Sequence, residues 1–289
     1  LKLIHWISKR GNFGDDLNPW LWDRILPGWR TISPETIFFG VGTLLHERRM
    51  SGFRVQKTLI LGSGVGYGDV PTIPPNLNWD IRALRGPVSA SLLGLDESLG
   101  MIDPAYLIGD FDEYRLQRSR QRNVCFVPHY STIQDYGLED QFAASDIRLV
   151  SPSDDFLNVI ENIYSASLVV TESLHGAIVA DCFSIPWIPV QIHERFNASK
   201  WNDFTSYCEE KNIIKFETFI RHLPRRLGPV STRKFRHRAI VGHERRLIRP
   251  FIEECAKLDG RLAERKVIDE KKRRFEETVR KVKLDYRIN

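Results

Sequence analysis

SLVVTESLHGAIVADCFSIPWIPVQI, residues 167–192, holds two apolar runs on either side of a segment rich in small residues. The first run, SLVVTES (167–173), reads as a buried strand. LHGAIVADCFS reads as a short helix, and IPWIPVQI (185–192) as a second strand flanked by prolines. Such an alternation suggests a parallel sheet. Directly after the first strand stands Thr171-Glu172-Ser173-Leu174-His175-Gly176. Backbone donors left unpaired at a helix start can hold an anion, which places Ser173, Leu174 and Gly176 where a charged ligand would bind. At 175 stands a histidine, the one residue type in the set that ordinarily serves proton transfer near neutrality. Glu172, three residues earlier, could orient the imidazole or act as a second acid or base. A lone histidine is more often structural. Its place at the rim of a sheet, beside Glu172 and Ser173, favours the catalytic reading.

The same alternation continues outward in both directions. RNVCFVPH (122–129) and IRLVSP (147–152) are strands, and Ser153 is placed to cap the helix DDFLNVIENIYSA. Nearer the start, LKLIHWI (1–7), TIFFGVG (36–42) and KTLILGSGVG (57–66) are apolar runs that end in glycine turns. In RGPVSASLLG, Pro87 suits the first turn of a helix. The polar stretch DEYRLQRSRQRN separates the two series. The expectation is an α/β fold of two Rossmann-like domains, 1–115 and 116–220, facing a cleft, with a basic helical extension over 221–289. Ligands of parallel sheets bind beyond the strand C-termini.

Two glycine loops fall at such strand ends. Gly11-Asn12-Phe13-Gly14-Asp15-Asp16 offers a tight turn and exposed backbone donors. Asp15 and Asp16 would either favour the following helix or meet substrate. In Gly62-Ser63-Gly64-Val65-Gly66-Tyr67-Gly68 the missing side chains allow a ligand to approach the backbone, although a tight crossover turn explains them too. Neither loop is a GxGxxG or GxxxxGK[ST] motif. Arg85, at a strand-to-helix junction, could fork onto a phosphate or carboxylate, or form a salt bridge. Asp103-Pro104-Ala105 reads most simply as a structural turn, and His129 ends a strand as His175 does. No HExxH or compact carboxylate cluster suggests a metal.

The chain has 289 residues, 42% apolar and 27% charged, which suits a packed globular protein and excludes a disordered or disulfide-stapled one. Cys125, Cys182, Cys208 and Cys255 lack ligand spacing, so a reducing compartment is expected. No apolar run is long enough for a spanning helix, and no signal-like core is expected near the start. Residues 233–289 are net +9 and the remainder net −4. That basic segment suits a solvated helix, an anionic membrane surface or nucleic acid. No nucleic-acid motif accompanies it, so no nucleic-acid partner is expected. Phe275, Val279, Val282 and Tyr286 form an apolar stripe whose partner is the protein's own body or a second copy of the tail.

GNFGDDLN, FFGVG, LILGSGVG, LRGP, the DPA segment and above all ESLHGAIVADCFSIPWIPV resemble the polysaccharide pyruvyl transferases, in particular the branch that acts on exopolysaccharide repeat units. The resemblance runs through about residue 195 in consistent order. It implies a two-domain GT-B-like fold and a phosphoenolpyruvate donor, with no separate cofactor. The implied product is a pyruvate ketal on a sugar carried by a polyprenyl-diphosphate-linked oligosaccharide. A cytoplasmic enzyme peripheral to the inner face of the cell membrane follows from that acceptor, and homo-oligomerisation through the C-terminal helices is compatible with it. By position in the motif, His175 corresponds to the family's acid or base and Arg85 to its strand-end arginine. Many members carry an arginine where this chain has Ser173, so Arg85, Arg82 or Arg195 would have to supply the missing charge. A GT-B glycosyltransferase with a nucleotide-sugar donor is the competing reading, since the same glycine loops could hold its diphosphate.

Overall fold

A computed structural model describes residues 1–53, 56–73, 78–115, 123–209, 211–217 and 230–288, with the backbone alone over 230–240. Four parallel strands, β1 (Lys2–Ile4), β2 (Ile37–Phe39), β3 (Thr58–Ser63) and β4 (Trp79–Leu84), form a sheet in chain order. Five more, β5 (Val124–Val127), β6 (Ile147–Leu149), β7 (Leu168–Thr171), β8 (Trp187–Gln191) and β9 (Ile214–Lys215), form a second parallel sheet in the order β6-β5-β7-β8-β9. Helices α1 (Phe13–Asp16), α2 (Asn18–Ile25), α3 (Glu47–Met50), α4 (Pro87–Leu92) and α5 (Asp112–Arg115) accompany the first sheet. With the second run α6 (Tyr130–Tyr136), α7 (Glu139–Phe142), α8 (Phe156–Tyr164), α9 (Leu174–Cys182) and α10 (Ser199–Thr205). Two long helices follow, α11 (Val230–Cys255) and α12 (Arg265–Asp285).

The inner strands are nearly all apolar because they are covered on both faces, whereas the edge strands β1, β6 and β9 each carry an exposed Lys or Arg. Phe38, Leu59 and Leu61 point into a central cluster that also takes Val127 and Val169 from the second sheet. Phe39 and Ile60 point to an outer cluster with Leu84, and Val170, Ile188 and Val190 to another beneath α11. The central cluster is therefore shared between the sheets. α9 carries small residues because it lies inside that cluster, where a Cβ on Gly176 would come within 2.5 Å of the Thr171 hydroxyl.

Several sequence expectations change. The first strand is three residues long, and its expected continuation, His5 to Ile7, is loop. α8 is capped by Asp155, whose carboxylate accepts from Leu157 and Asn158, rather than by Ser153. β9 has only two residues, too few to leave a period in the sequence.

The C-terminal segment is not a free extension. α12 returns to the first sheet, where Phe275 and Val282 are fully enclosed and Tyr286 donates to Asp80 at 3.1 Å. Lys272 pairs with Asp110 at 2.6 Å and Lys271 donates to the Gly100 carbonyl at 3.1 Å. The stripe expected either to meet the body or to pair two tails is thus buried on the body. Pro224, Gly228 and Pro229, which argue against one helix over 221–249, lie outside the described residues.

Candidate active site

All nine strands are parallel within their sheets, and the C-terminal ends of the two sheets meet around a cavity of about 320 Å³. Its walls come from the loops after β1, β2 and β3 on one side and after β5, β6, β7 and β8 on the other. A volume of this size falls at the lower end of the range for small-molecule sites, roughly 300–1,000 Å³.

His175 projects from the first turn of α9 into this cavity. Ser173 caps the helix, its hydroxyl accepting from the Gly176 amide at 3.4 Å. That bond is long, and it uses the Gly176 donor within the cap. Leu174 and Ser173 both line the wall. The Nε2 edge of His175 is buried and lies 3.6 Å from Asp103, and the residue lines the cavity. Gly14 closes the other side of the ring, since a Cβ there would overlap Nδ1.

Asp103, expected as a turn residue, does cap the 3-10 helix Pro104–Asp110 with one oxygen at 3.0 Å from the Ala105 amide. Its other oxygen is buried, lacks a hydrogen bond, and lies 3.6 Å from the imidazole. Asp103, and not Glu172, is therefore the carboxylate that stands beside the His175 ring. Glu172 is enclosed and otherwise engaged. Its Oε1 accepts from the amides of Ile192 at 2.7 Å and His193 at 2.6 Å, and its Oε2 accepts from the His129 amide at 3.1 Å and from the Thr132 hydroxyl. The carboxylate ties the ends of β5, β7 and β8 together, so its expected role as partner of His175 is corrected.

Asp15 reaches the cavity from α1 and accepts from the Asn12 side-chain amide. Burial pushes its carboxyl up to about 6, and nearby His175 and Lys200 moderate the rise. Lys200, from the first turn of α10, is the residue that sequence reasoning missed. Burial, and then the charge of Arg85, bring its ammonium down to about 8, while Asp15 opposes the fall. Lys200 donates to the Tyr67 hydroxyl at 2.6 Å, and burial pushes that phenol up to about 12. Arg49, half-buried, adds a second cation to the wall, its pKa lowered by burial. His129 also lines the cavity. Burial, Lys200, His193 and Arg195 hold it down to about 3, so it is neutral, and its Nδ1 caps α6.

The cations expected from the sequence lie elsewhere. Arg85 is 2% exposed and forms a buried pair with Asp203 of α10, through Nε at 3.1 Å and one terminal nitrogen at 2.9 Å. Its remaining donors meet the Thr43 hydroxyl at 2.6 Å and the Val65 carbonyl at 2.9 Å. Gly64 lacks a side chain because the guanidinium lies there, not because a ligand does. Arg85 and Gly64 thus form the joint between the halves, one layer behind the cavity wall. Arg195 is exposed, and the cavity lining does not include it. Arg82 pairs with Asp80 and with Asp285 at the far end of α12. Among the described residues, no group of three or more histidines, cysteines or carboxylates could hold a metal.

The cavity can therefore move protons near neutral pH and hold an anion between Lys200, Arg49 and the start of α9. Neither Lys200 nor Arg49 lies in a recognisable motif. Both lie in short helices nine or ten residues beyond a strand end, where no spacing marks them.

Comparison with known proteins follows the same lines. The family described as polysaccharide pyruvyl transferase matches residues 56–194. The succinoglycan biosynthesis protein ExoV of Rhizobium meliloti (strain 1021) is 39% identical over 235 residues, which is 81% of this chain and 69% of that protein. Among solved structures, the UDP-GlcNAc 2-epimerase of Methanocaldococcus jannaschii, in complex with UDP-GlcNAc and UDP, aligns over 84% of this chain and 82% of that one. The TM-score is 0.39 and the identity 10%, too distant to specify a shared fold.

Proposed function

The chain belongs to the polysaccharide pyruvyl transferase family, in its exopolysaccharide branch, and from that premise we propose that it transfers the pyruvyl group of phosphoenolpyruvate to two hydroxyls of one sugar, forming a ketal. The observation that carries this reading is the His175–Asp103 pair, set in one cavity with Asp15 and two cations.

In the reaction both hydroxyl oxygens bond to C2 of the donor and the C2–O bond to phosphate breaks. One hydroxyl proton ends on the methylene carbon, which becomes a methyl group, and the other leaves with phosphate. His175 delivers the proton to the methylene, with Asp103 stabilising the imidazolium. Asp15, titrating near neutrality, takes the proton of the attacking hydroxyl. Lys200, Arg49 and the free backbone donors of α9 hold the phosphate and carboxylate, in the role expected of the arginine that Ser173 replaces. No separate cofactor enters this scheme. The nucleotide-sugar glycosyltransferase gives way to the family assignment.

In the same reading, 1–115 and 116–220 are the two lobes of a GT-B-like cleft, followed by the basic segment 221–289. The acceptor is a polyprenyl-diphosphate-linked oligosaccharide at the cytoplasmic face of the membrane. No helix among the described residues is long and apolar enough to cross a bilayer. Attachment in this reading is peripheral, through basic side chains that each contribute about 1 kcal/mol at an anionic surface. The test is mass spectrometry of a lipid-linked oligosaccharide incubated with enzyme and phosphoenolpyruvate. The acceptor should gain about 70 Da, the mass of pyruvate less water, through the proton transfers assigned above. No gain with phosphoenolpyruvate, or a hexose-sized gain with a nucleotide sugar, would overturn the reading.

A further inference from the structure

Three aromatic side chains that line the cavity are also unusually open to solvent: Trp6 is 54% exposed, Tyr67 43% and Tyr130 37%. Trp6 and Tyr67 come from the loops after β1 and β3, and Tyr130 opens α6 after β5. Isolated exposed aromatics need no explanation, but a group of them around one opening does.

Each ring is positioned by a polar neighbour. The Arg49 guanidinium lies 5.7 Å from the centre of the Trp6 ring, Lys200 holds Tyr67 by its hydroxyl, and the His129 and Tyr130 rings are 4.4 Å apart. Held rings lose little freedom when a ligand arrives, and tyrosine and tryptophan combine an apolar face with a polar edge. A pyranose has the matching character, with C–H groups on its faces and hydroxyls around its rim. Besides the rings, the less exposed Asn12 and Asp15 present hydroxyl-binding groups in the same cavity. A bilayer also accepts Trp and Tyr at its headgroup level, but it meets a convex patch and does not enter a cavity with Asn12 and Asp15 in its wall.

We infer that Trp6, Tyr67 and Tyr130 form an acceptor subsite at the cavity mouth that stacks the rings of a neutral hexose oligosaccharide, the reacting sugar lying innermost. The inference rests on the transfer reaction proposed above. It makes Trp6, the most exposed of the three, the chief contact with sugars that precede the reacting one. Longer chains then bind better than single hexoses because they cover more of the mouth.

The test uses fluorescently labelled protein on a glycan array of gluco-, galacto- and manno-configured oligosaccharides of increasing length, comparing the parent with Trp6→Ala and Trp6→Tyr. Thermal protection by phosphoenolpyruvate is measured on the same three proteins. The inference expects length-dependent binding, an affinity loss of about tenfold in Trp6→Ala, and recovery of most of it in Trp6→Tyr, with donor protection unchanged. If phosphoenolpyruvate protects the parent but no hexose chain binds, or if Trp6→Ala binds as the parent does, the subsite is refuted. Sugar binding that depends on Trp6, without protection by phosphoenolpyruvate, upholds the subsite and refutes the donor instead. Sedimentation with neutral phosphatidylcholine vesicles that is lost in Trp6→Ala, with glycan binding unaffected, would make the mouth a membrane contact and overturn the inference.

Discussion

Replacing Asp15 by Asn should make the protein more stable and far less active. The carboxyl is shifted from 3.8 to about 6, chiefly by burial, so the folded state disfavours its charged form. A shift of about two pH units corresponds to up to ~3 kcal/mol of stability forgone at neutral pH. Asn keeps the shape and an oxygen for the Asn12 amide, but carries no charge to desolvate. The pH dependence gives the direction. Above about 6, Asp15 is ionised folded or unfolded and the full penalty applies. Between about 6 and 4 the folded state takes up its proton first and the penalty fades, and below about 4 both states are neutral. The advantage of Asp15→Asn should thus be largest at pH 7 and vanish near pH 4, which denaturant unfolding of both proteins across that range would measure. A variant no more stable than the parent at pH 7, or a gain that persists unchanged at pH 4, would refute the assignment of Asp15 as a strained, functionally retained charge. Turnover should fall in the same variant, because Asn cannot accept a proton.

Other perturbations separate the remaining roles. Gly14→Ala should leave the fold intact but displace the His175 ring, and steady-state turnover should fall as it does in His175→Gln, by about 10²- to 10⁴-fold. Glu172→Gln should cost ~3 kcal/mol in denaturant unfolding, since an amide group would face donors that now meet a charged acceptor. Arg85→Ala should lower stability by about 3–5 kcal/mol by leaving Asp203 buried and unpaired, while the folded protein keeps its KM for phosphoenolpyruvate. The pH profile of kcat/KM should be bell-shaped, rising near 6 as Asp15 ionises and falling near 8 as Lys200 loses its proton. Lys200→Arg should move the upper limb to higher pH.

The parts of this protein that were legible in its sequence are those determined within a few residues. Apolar runs that end in glycine located the strands β1 to β3, and the helix after SLVVTES placed His175 at a sheet rim. Asp15 and Gly14 fell in the right loop for the same reason. What stayed hidden depends on partners far along the chain. Arg85 and Asp203 are separated by 118 positions, and no local pattern announces that a strand-end arginine and a helical aspartate will neutralise each other. Glu172 looked available because its four donors come from β5, α6 and the end of β8. Asp103 looked like a capping residue, which it also is, and only the second oxygen reveals its other duty. Lys200 lies beyond the segment where family resemblance is strong, in a stretch without periodicity.

The return of α12 to the first sheet bears on how the chain is made. Phe275, Val279 and Val282 complete a core begun by Leu21, Trp22 and Phe38, and Lys271 meets Gly100 across 171 positions of sequence. During synthesis at roughly 5–20 residues per second, the first sheet therefore waits many seconds on the ribosome with one apolar flank open. Until the late helix arrives to close it, the early half presents that apolar flank to whatever it meets.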